Sequence, residues 1–530
     1  MNHSAPAPGR QLFGYAAAAV FLLLPSLLFG TLISHSSPLN LTWAAQFAEQ
    51  FRTVVPYPRW MPSSFDGLGS PAFYFYPPLP FWIDALVSVM MANLLSVPYR
   101  LSVSATLVLF ASGLAMHAWL KQETGRPRAA FWGALVYMAA PYHLLDHYMR
   151  GAYAEFAAYV FLPLILLTIR RPVLLALAYA GLLATHLPTA LLVSVTVLPA
   201  FVVTRLRTLR EMLGVAAGVA LGIGLAAVYL VPAMTLQGWV SAERLWSSFY
   251  TVDNWFLFTP QRWPEPSIMW VVVLLAAAYG LLAFALCLRP GGARLWVAIC
   301  FVCLVLMSGL VPWFWQLPEL AKVQFPWRLM VVVEFAVITA FCGAPVRNPP
   351  RAIVYLLGLA ALALAFAELL AMGDMVLRLQ RTIEHPSLVQ RDAKEYQPHG
   401  FPQSANEDIA DIGLQQVANV APIACTPAAR VCRADGAPFG ALTIEVESAA
   451  PTTVVVRRFF FPAWRVTPVT QIVPTDPLRL VSFTAAAGRH TYTLQRVALP
   501  EEQIGWAISG LSLVLLTAWS VLRRQGIKAP

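Results

Sequence analysis

Charge is scarce in this sequence. Charged residues make up 12% of the 530-residue chain, whereas hydrophobic residues make up 58%, and the mean hydropathy is +0.64. Apolar runs of about 18 residues or more recur along the chain, which excludes a soluble domain of this size. The composition therefore predicts a polytopic α-helical membrane protein.

The motifs of several enzyme classes are also missing. The sequence has no Walker phosphate-binding loop, no HExxH, no GxSxG and no paired CxxC, so nothing in it supports nucleotide hydrolysis or zinc-dependent proteolysis. The formal net charge of +10 comes from Lys and Arg in short loops between apolar runs. This distribution is typical of membrane topology and not of a nucleic-acid-binding face.

The apolar runs predict about twelve transmembrane helices. The predicted spans are residues 11–34, 101–120, 129–145, 152–169, 173–187, 188–204, 212–236, 266–288, 295–313, 328–345, 352–373 and 503–522. The first apolar run has no small-residue cleavage site and is interpreted as an uncleaved helix.

Basic residues orient these spans. Lys and Arg concentrate in loops 121–128, 170–172, 205–211, 289–294 and 346–351 and in the tail 523–528. All six fall on one side if residues 79–97, which contain Asp84, enter the membrane only partly. Because basic loops stay in the cytoplasm, we expect both termini there, with the chain in the cytoplasmic (inner) membrane.

The chain divides into three predicted regions. Residues 1–373 form a transmembrane domain with a first outer loop at 35–100, and residues 501–530 form the last helix and a cytoplasmic tail. Between them, residues 374–500 are polar enough for an extracytoplasmic domain. Segments rich in β-branched and aromatic residues predict a β-sandwich there, after a helical lead-in near 374–395. These segments are LTIEVE (442–447), TTVVVRRFFF (452–461), LRLVSF (478–483) and HTYTLQRV (490–497).

One stretch carries an unusual cluster of ionisable residues. PYHLLDHYMRGAYAEF begins at residue 141 and includes His143, Asp146, Arg150 and Glu155. Such residues at a membrane boundary are functional candidates, because burying them is costly. We expect Asp146 and Arg150 to face a cavity shared with the first outer loop. The structural alternative is an Asp146–Arg150 ion pair that anchors a helix end.

Three further stretches place polar groups beside the membrane on the same predicted side. They contain His35, Arg59 and Asp66 in the first outer loop, His186 in HLPT and Arg328 in VQFPWR. An arginine at that position can bind a lipid phosphate through charge-assisted hydrogen bonds. Its structural alternative is an interfacial anchor beside a tryptophan.

Cys425 and Cys432 lie in the predicted extracytoplasmic domain, in CTPAARVC. Thiols oxidise in such compartments, so we predict a disulfide between them. A metal pair lacks further Cys or His ligands nearby, and two free thiols remain the other alternative.

Several of these stretches together resemble known families. Bacterial membrane proteins with the "6-pyruvoyl-tetrahydropterin synthase-related" domain, a historical name, have motifs similar to PYPRW…GLGSPAFYFYPPLP, PYHLLDHYMRGAYAEF, THLPTALL and VQFPWRL. The tail FFFPAWRV…AAGRHTYTL…IGWAISGLSLVLL resembles the end of YfhO-type membrane proteins. Both groups resemble C-type (GT-C) glycosyltransferases, which take a sugar from a polyprenyl-phosphate donor and use an acid in the first outer loop.

The resemblance implies roles for particular residues. Asp146, Glu155 or Asp66 would act as catalytic base or metal ligand. Binding of the substrate would fall to a larger set: Arg150, Arg328, Arg59, Trp60, His143, His186 and His35. One departure matters, because this chain has SHSSPLN where relatives have an acid before the first-loop helix.

The leading hypothesis is a GT-C-like transferase that moves a sugar from a polyprenyl-phosphate donor to a glycan, lipid or protein acceptor at the outer face. The missing first-loop acid favours an alternative, a non-catalytic protein that binds lipid-linked glycan during envelope assembly. A divalent metal stays open as a cofactor. A transporter finds no support, because the sequence shows no internal repeat and no polar pair within a span.

Overall fold

The computed structural model describes residues 8–53, 55–246, 248–288, 293–344, 351–384, 392–404, 412–418, 420–436, 440–469 and 471–524. Helices dominate up to residue 384. Many of them begin at or beside a proline, whose missing N–H costs nothing in the first helical turn. The first helices are α1 (Pro8–Leu22), α2 (Leu24–Phe29), α3 (Ser37–Arg52), α4 (Ser64–Gly67), α5 (Ala72–Phe75), α6 (Leu79–Met90), α7 (Val97–Thr124), α8 (Pro127–Met138), α9 (Pro141–Leu145), α10 (Tyr153–Ala158), α11 (Phe161–Thr168) and α12 (Pro172–Leu183).

The second half continues this pattern and ends in a long helix that follows the strands. Its helices are α13 (Leu187–Val195), α14 (Val197–Arg205), α15 (Leu209–Leu225), α16 (Ala227–Thr235), α17 (Pro266–Cys287), α18 (Arg294–Ser308), α19 (Pro312–Trp315), α20 (Pro318–Ala321), α21 (Met330–Gly343), α22 (Arg351–Glu384), α23 (Ile412–Ala418) and α24 (Pro500–Arg524). A π-helical turn, Asp146–Arg150, follows α9, and a 3₁₀ turn, Pro326–Leu329, precedes α21.

Several helical segments are long and apolar enough to cross a membrane, so the chain is a multi-pass membrane protein. Among the described residues there are five such segments, or six if the bent pair α15 and α16 forms one span. The five are Val97–Thr124, Leu187–Arg205, Pro266–Cys287, Pro326–Gly343 and Pro500–Leu522. The predicted count of about twelve is not confirmed.

The predicted spans 129–145, 173–187 and 212–236 are divided, shortened and bent in the structure, respectively. The first becomes α8 and α9, the second shortens to the 12 residues of α12, and the third bends by 69° between α15 and α16. A 12-residue helix is about 18 Å long, whereas the hydrocarbon core is about 30 Å thick. The five segments lack these three predicted spans for that reason.

Helix α6, within the segment 79–97, is likewise too short to cross alone. Its Asp84 is fully buried and pairs with Arg100 of α7, whose Nε and Nη2 lie 2.9 and 2.8 Å from Asp84 Oδ2. Arg100 also donates to the Ala44 carbonyl of α3 (2.9 Å). The pair therefore fixes α3, α6 and α7 to one another.

The strands form two packed antiparallel sheets, a C-terminal β-sandwich region. They are β1 (Ile423–Thr426), β2 (Val431–Asp435), β3 (Leu442–Ser448), β4 (Thr452–Phe459), β5 (Trp464–Thr467), β6 (Val473–Pro474), β7 (Leu480–Ala485) and β8 (Gly488–Arg496). One sheet has the order β1-β4-β7-β6 and the other β2-β3-β8-β5. Alternate residues of β3 and β4 are buried, as the period of two requires.

The sandwich packs directly on loop 35–100. The rings of Trp60 and Trp464 are 5.1 Å apart, and those of Phe65 and Phe459 are 5.6 Å apart. These side chains share one hydrophobic cluster with the strands. The β-sandwich and the loop therefore fold as one packed unit.

Some predicted features fall outside the described residues. Of the helical lead-in near 374–395, α22 covers the part up to Glu384, and residues 385–391 are not described. Much of the basic loops 289–294 and 346–351 and of the tail 523–528 also lies outside the described residues.

Candidate functional site

The helical segment 141–150, formed by α9 and the π-helical turn, carries Asp146 and Arg150. It ends at Gly151, whose φ of +61° favours glycine. A Cβ at Gly151 would lie 2.2 Å from Ser34 Oγ, so the loop can approach only because the side chain is missing. Two hydrogen bonds join the first outer loop to the end of this segment: Ser36 N donates to Arg150 O (2.9 Å), and Asn40 Nδ2 donates to Gly151 O (2.6 Å).

Arg150 is the centre of a buried hydrogen-bonded network. Its Nη1 donates to Asp146 Oδ1 (2.5 Å) and to Glu155 Oε2 (2.8 Å). The same Nη1 lies 3.0 Å from the hydroxyl of Tyr142, which donates to Glu155 Oε1 (2.7 Å). Asp146 and Glu155 have exposures of 0% and 1%. Because water does not solvate these buried carboxylates, their charges are stabilised mainly by Arg150, and the charge of Arg150 is stabilised by them.

Arg328 joins the network from a distant part of the chain. Its Nε donates to Glu155 Oε2 (3.1 Å), and its Nη1 donates to the carbonyl of Val323 (2.6 Å). The Arg328 side chain is 11% exposed. Two arginines therefore share the Glu155 carboxylate, and Arg328 is the more accessible of them at 11% against 9%.

Asp146 has one oxygen without a partner. Its Oδ2 is buried and accepts no hydrogen bond among the described residues. Burial, with the Glu155 carboxylate next to it, raises the pKa of Asp146 well above its usual value, although Arg150 opposes the shift. A buried carboxyl with a raised pKa and a free oxygen is a candidate for proton exchange.

Two residues that sequence reasoning did not single out hold this network in place. Tyr142 bridges Arg150 and Glu155, and its backbone N–H donates to Glu334 Oε1 (2.8 Å). Glu334 lies in α21 and is fully buried. The signal for Glu334 was an acid inside the apolar run VVVEFAVITAF, which is costly unless it is partnered.

The predicted histidines have different surroundings. His143 stacks on Tyr159 with ring centroids 3.7 Å apart and an interplanar angle of 2°. His186 contacts Thr189 Oγ1 through Nδ1 (2.8 Å) and lies close enough to Glu155 and Arg328 to interact with their charges. His35 is exposed at 3.4 Å from Glu265 Oε1. Of these three histidines, His186 therefore interacts with the charges of the network.

The other predicted residues of loop 35–100 lie elsewhere. Asp66 is exposed in a left-handed conformation, with φ of 54°. Trp60 is buried against the β-sandwich. Arg59 is 1% exposed and pairs with Glu502 of α24 through Nε (2.9 Å) while its guanidinium lies over Tyr57. The structure thus joins Arg59 to the last helix and not to Arg150.

A small cavity adjoins the network. It has a volume of about 20 Å³, room for one water molecule, and is lined by residues that include Asn40, His147 and Gly151. Asp146 and Arg150 are not among its lining residues, and the expectation that they face a cavity shared with the first outer loop stays a prediction. Their side chains are enclosed by their ion-pair partners instead.

No metal-ligand group is evident in the part of the chain that the structure describes, since no three His, Cys, Asp or Glu side chains are suitably grouped there. Asp146 and Glu155 are the two carboxyls of the network, and both contact Arg150. A guanidinium therefore occupies the place between them that a divalent cation would need.

Cys425 and Cys432 are joined by a disulfide in the structure, with Cα atoms 6.2 Å apart. They lie on β1 and β2, one strand from each sheet. The bond therefore connects the two sheets of the sandwich at one edge.

Comparison with known proteins found a structural likeness. No family model and no curated protein matches the chain. Among solved structures, the cryo-EM structure of the arabinofuranosyltransferase AftD from Mycobacteria is similar, with a TM-score of 0.45 and 19% sequence identity. The alignment covers 71% of this chain and 27% of that chain, so this chain spans about a quarter of that protein's length.

Proposed function

We propose that the protein transfers a sugar from a polyprenyl-phosphate donor to an acceptor hydroxyl at the outer face of the cytoplasmic membrane. The motif resemblance to GT-C-like families motivates the reaction class. The observation that carries the proposal is the buried network itself: two arginines share Glu155 beside Asp146, which keeps one oxygen free.

The charges of this network match the charge change of the reaction. With all four side chains ionised, Arg150, Arg328, Asp146 and Glu155 sum to zero. When the acceptor oxygen attacks the anomeric carbon, the bond from that carbon to the phosphate oxygen breaks, and the acceptor proton passes to Asp146. The network then carries one positive charge as the phosphate diester becomes a monoester with one further negative charge. Electrostatic stabilisation of a leaving group that develops in this way is a large catalytic effect.

Asp146 is the proposed base, and Arg328 with Arg150 would hold the phosphate. Segment 34–40 abuts Gly151, where Ser36 contacts the Arg150 carbonyl. The first-loop position that holds an acid in relatives is therefore next to the end of segment 141–150, and this segment carries Asp146, the acid that we propose as the replacement. The region 374–500 would contribute to acceptor binding through its packing on loop 35–100.

Transfer of labelled sugar from polyprenyl-phosphate donors by the purified protein tests this proposal. Asp146→Asn should lower the rate roughly 10²–10⁴-fold, the contribution of a general base. Asp84→Asn is the matched control, because Asp84 is equally buried and paired with an arginine outside the network. Equal activity of Asp146→Asn and wild type would remove Asp146 from the mechanism.

A non-catalytic lipid-glycan-binding protein is the second candidate. Its supporting observation is that both arginines of the network are already paired with carboxylates. Such a protein would bind polyprenyl-phosphate sugars but release no free polyprenyl phosphate, so analysis of the lipid product separates the two functions.

A further inference from the structure

Glu334 is a buried carboxyl outside the charged network, and the proposed chemistry does not use it. Its Oε1 accepts the backbone N–H of Tyr142 (2.8 Å) and the Tyr279 hydroxyl (2.9 Å), and its Oε2 accepts the Tyr159 hydroxyl (2.7 Å). Three such donors stabilise the ionised form of the carboxyl, whereas its complete burial opposes ionisation. Glu334 thus binds together α21, α17, the end of α10 and the start of α9.

Through Tyr142, Glu334 acts on the residues of the proposed site. Segment 141–150 begins at this hydrogen bond and carries Asp146 and Arg150 at its other end, while the hydroxyl of Tyr142 touches both Arg150 and Glu155. A shift of Tyr142 would therefore displace the arginine and the carboxylates together. Misplacement by about 1 Å can cost roughly 100-fold in rate.

We propose that Glu334 is a positioning residue for Asp146, which fixes segment 141–150 through the Tyr142 backbone and places a second negative charge near the base. This inference rests on the proposed transferase function for its kinetic readouts. It extends that function to a residue that touches neither the proposed phosphate site nor the free oxygen of Asp146.

The charge of Glu334 has a separate, measurable consequence. The charged and titratable groups that act on Asp146 are Arg150, Tyr142, Glu155, Tyr159 and Glu334. The Glu334 carboxylate, like Glu155, disfavours ionisation of Asp146 and raises its pKa. A base is active above its own pKa, so loss of the Glu334 charge moves the acidic limb of the rate profile to lower pH.

The experiment compares Glu334→Gln with Glu334→Asp in the full-length protein. Glu334→Gln keeps the shape but removes the charge, so kcat should fall roughly 10- to 100-fold with little change in KM, and the acidic limb should shift by about one unit to lower pH. Glu334→Asp keeps the charge but not the reach, so kcat should fall while the limb stays near its wild-type position.

Hydrogen exchange of residues 141–151 provides a readout that needs no activity. In Glu334→Gln the acceptor of the Tyr142 N–H is no longer charged, and this weaker hydrogen bond should speed exchange there about tenfold. If Glu334→Gln does not fold, Tyr279→Phe loosens the same carboxylate while keeping its charge, and faster exchange is expected again. The inference would be overturned if a folded variant showed unchanged exchange, unchanged kcat and an unchanged acidic limb. A variant whose thermal stability is reduced while these three readouts stay unchanged would overturn it as well. If the variant exchanged faster but the wild-type protein transferred no sugar, the proposed function would be refuted and the positioning role of Glu334 would stand.

Discussion

Removal of the Glu155 charge is the sharpest perturbation of the network. Glu155→Gln keeps the side-chain volume but leaves Arg150 and Arg328 with Asp146 as the remaining carboxylate. Glu155 accepts three hydrogen bonds, from Arg150 (2.8 Å), Arg328 (3.1 Å) and Tyr142 (2.7 Å), at 1% exposure. Breaking a buried ion pair on one side costs about 3–5 kcal/mol, because the partner charge stays buried.

Denaturant unfolding of the purified protein in detergent, followed by tryptophan fluorescence, measures this loss. Glu319→Gln is the control, because Glu319 pairs with Lys322 at 3.0 Å but is 71% exposed, and such pairs contribute less than about 1 kcal/mol. The double variant Glu155→Gln/Arg328→Gln should recover part of the loss, since it removes one unpaired charge. A Glu155→Gln protein as stable as Glu319→Gln would refute the interdependence of these charges.

Three further predictions concern regions outside the network. Asp392 accepts a hydrogen bond from Trp43 Nε1 (3.0 Å), and burial raises the pKa of its carboxyl to about 6. The free energy of unfolding should therefore fall by about 2 kcal/mol as pH rises from about 4 to 7. Asp392→Asn should not show this fall in a series of denaturation curves. Cys425 and Cys432 should resist alkylation until the protein is reduced, and modification of both thiols without reductant would contradict the disulfide. Lys121→Cys should react with an impermeant thiol reagent in inverted vesicles but not in intact cells, and the reverse pattern would invert the topology.

The sequence made part of the site predictable. Asp146 and Arg150 are four residues apart, so helical spacing in a charge-poor chain was enough to place them together. Glu155 follows within ten residues of Asp146 but lies in the next helix. Arg328 was identified through its FPWR motif. Glu334 was not, because its three donors come from separate helices and no local spacing brings them together. The pairing of Arg59 with Glu502 likewise joins residues at opposite ends of the chain.

The fold was predictable to a similar degree. The strands β3, β4, β7 and β8 fall on the four predicted segments, because they are rich in β-branched and aromatic residues. The strands β1, β2, β5 and β6 have five residues or fewer, and their position depends on the disulfide, cross-strand pairing and packing on loop 35–100. Hydropathy located the apolar runs but not their breaks, since the bend between α15 and α16 arises in an uninterrupted apolar stretch.

Binding of polyprenyl phosphate, compared with the matching polyprenyl alcohol, tests the central claim that the Arg150–Arg328 network holds a lipid phosphate. The two lipids differ only in the headgroup, so the ratio of their dissociation constants isolates the phosphate contribution. Wild-type protein in lipid nanodiscs should prefer the phosphate by about tenfold or more, which corresponds to about 1.4 kcal/mol. Arg328→Gln, which changes the more exposed arginine, should bring the ratio close to one. Equal binding of the two lipids by the wild type, or an unchanged ratio in a folded Arg328→Gln protein, would contradict the account.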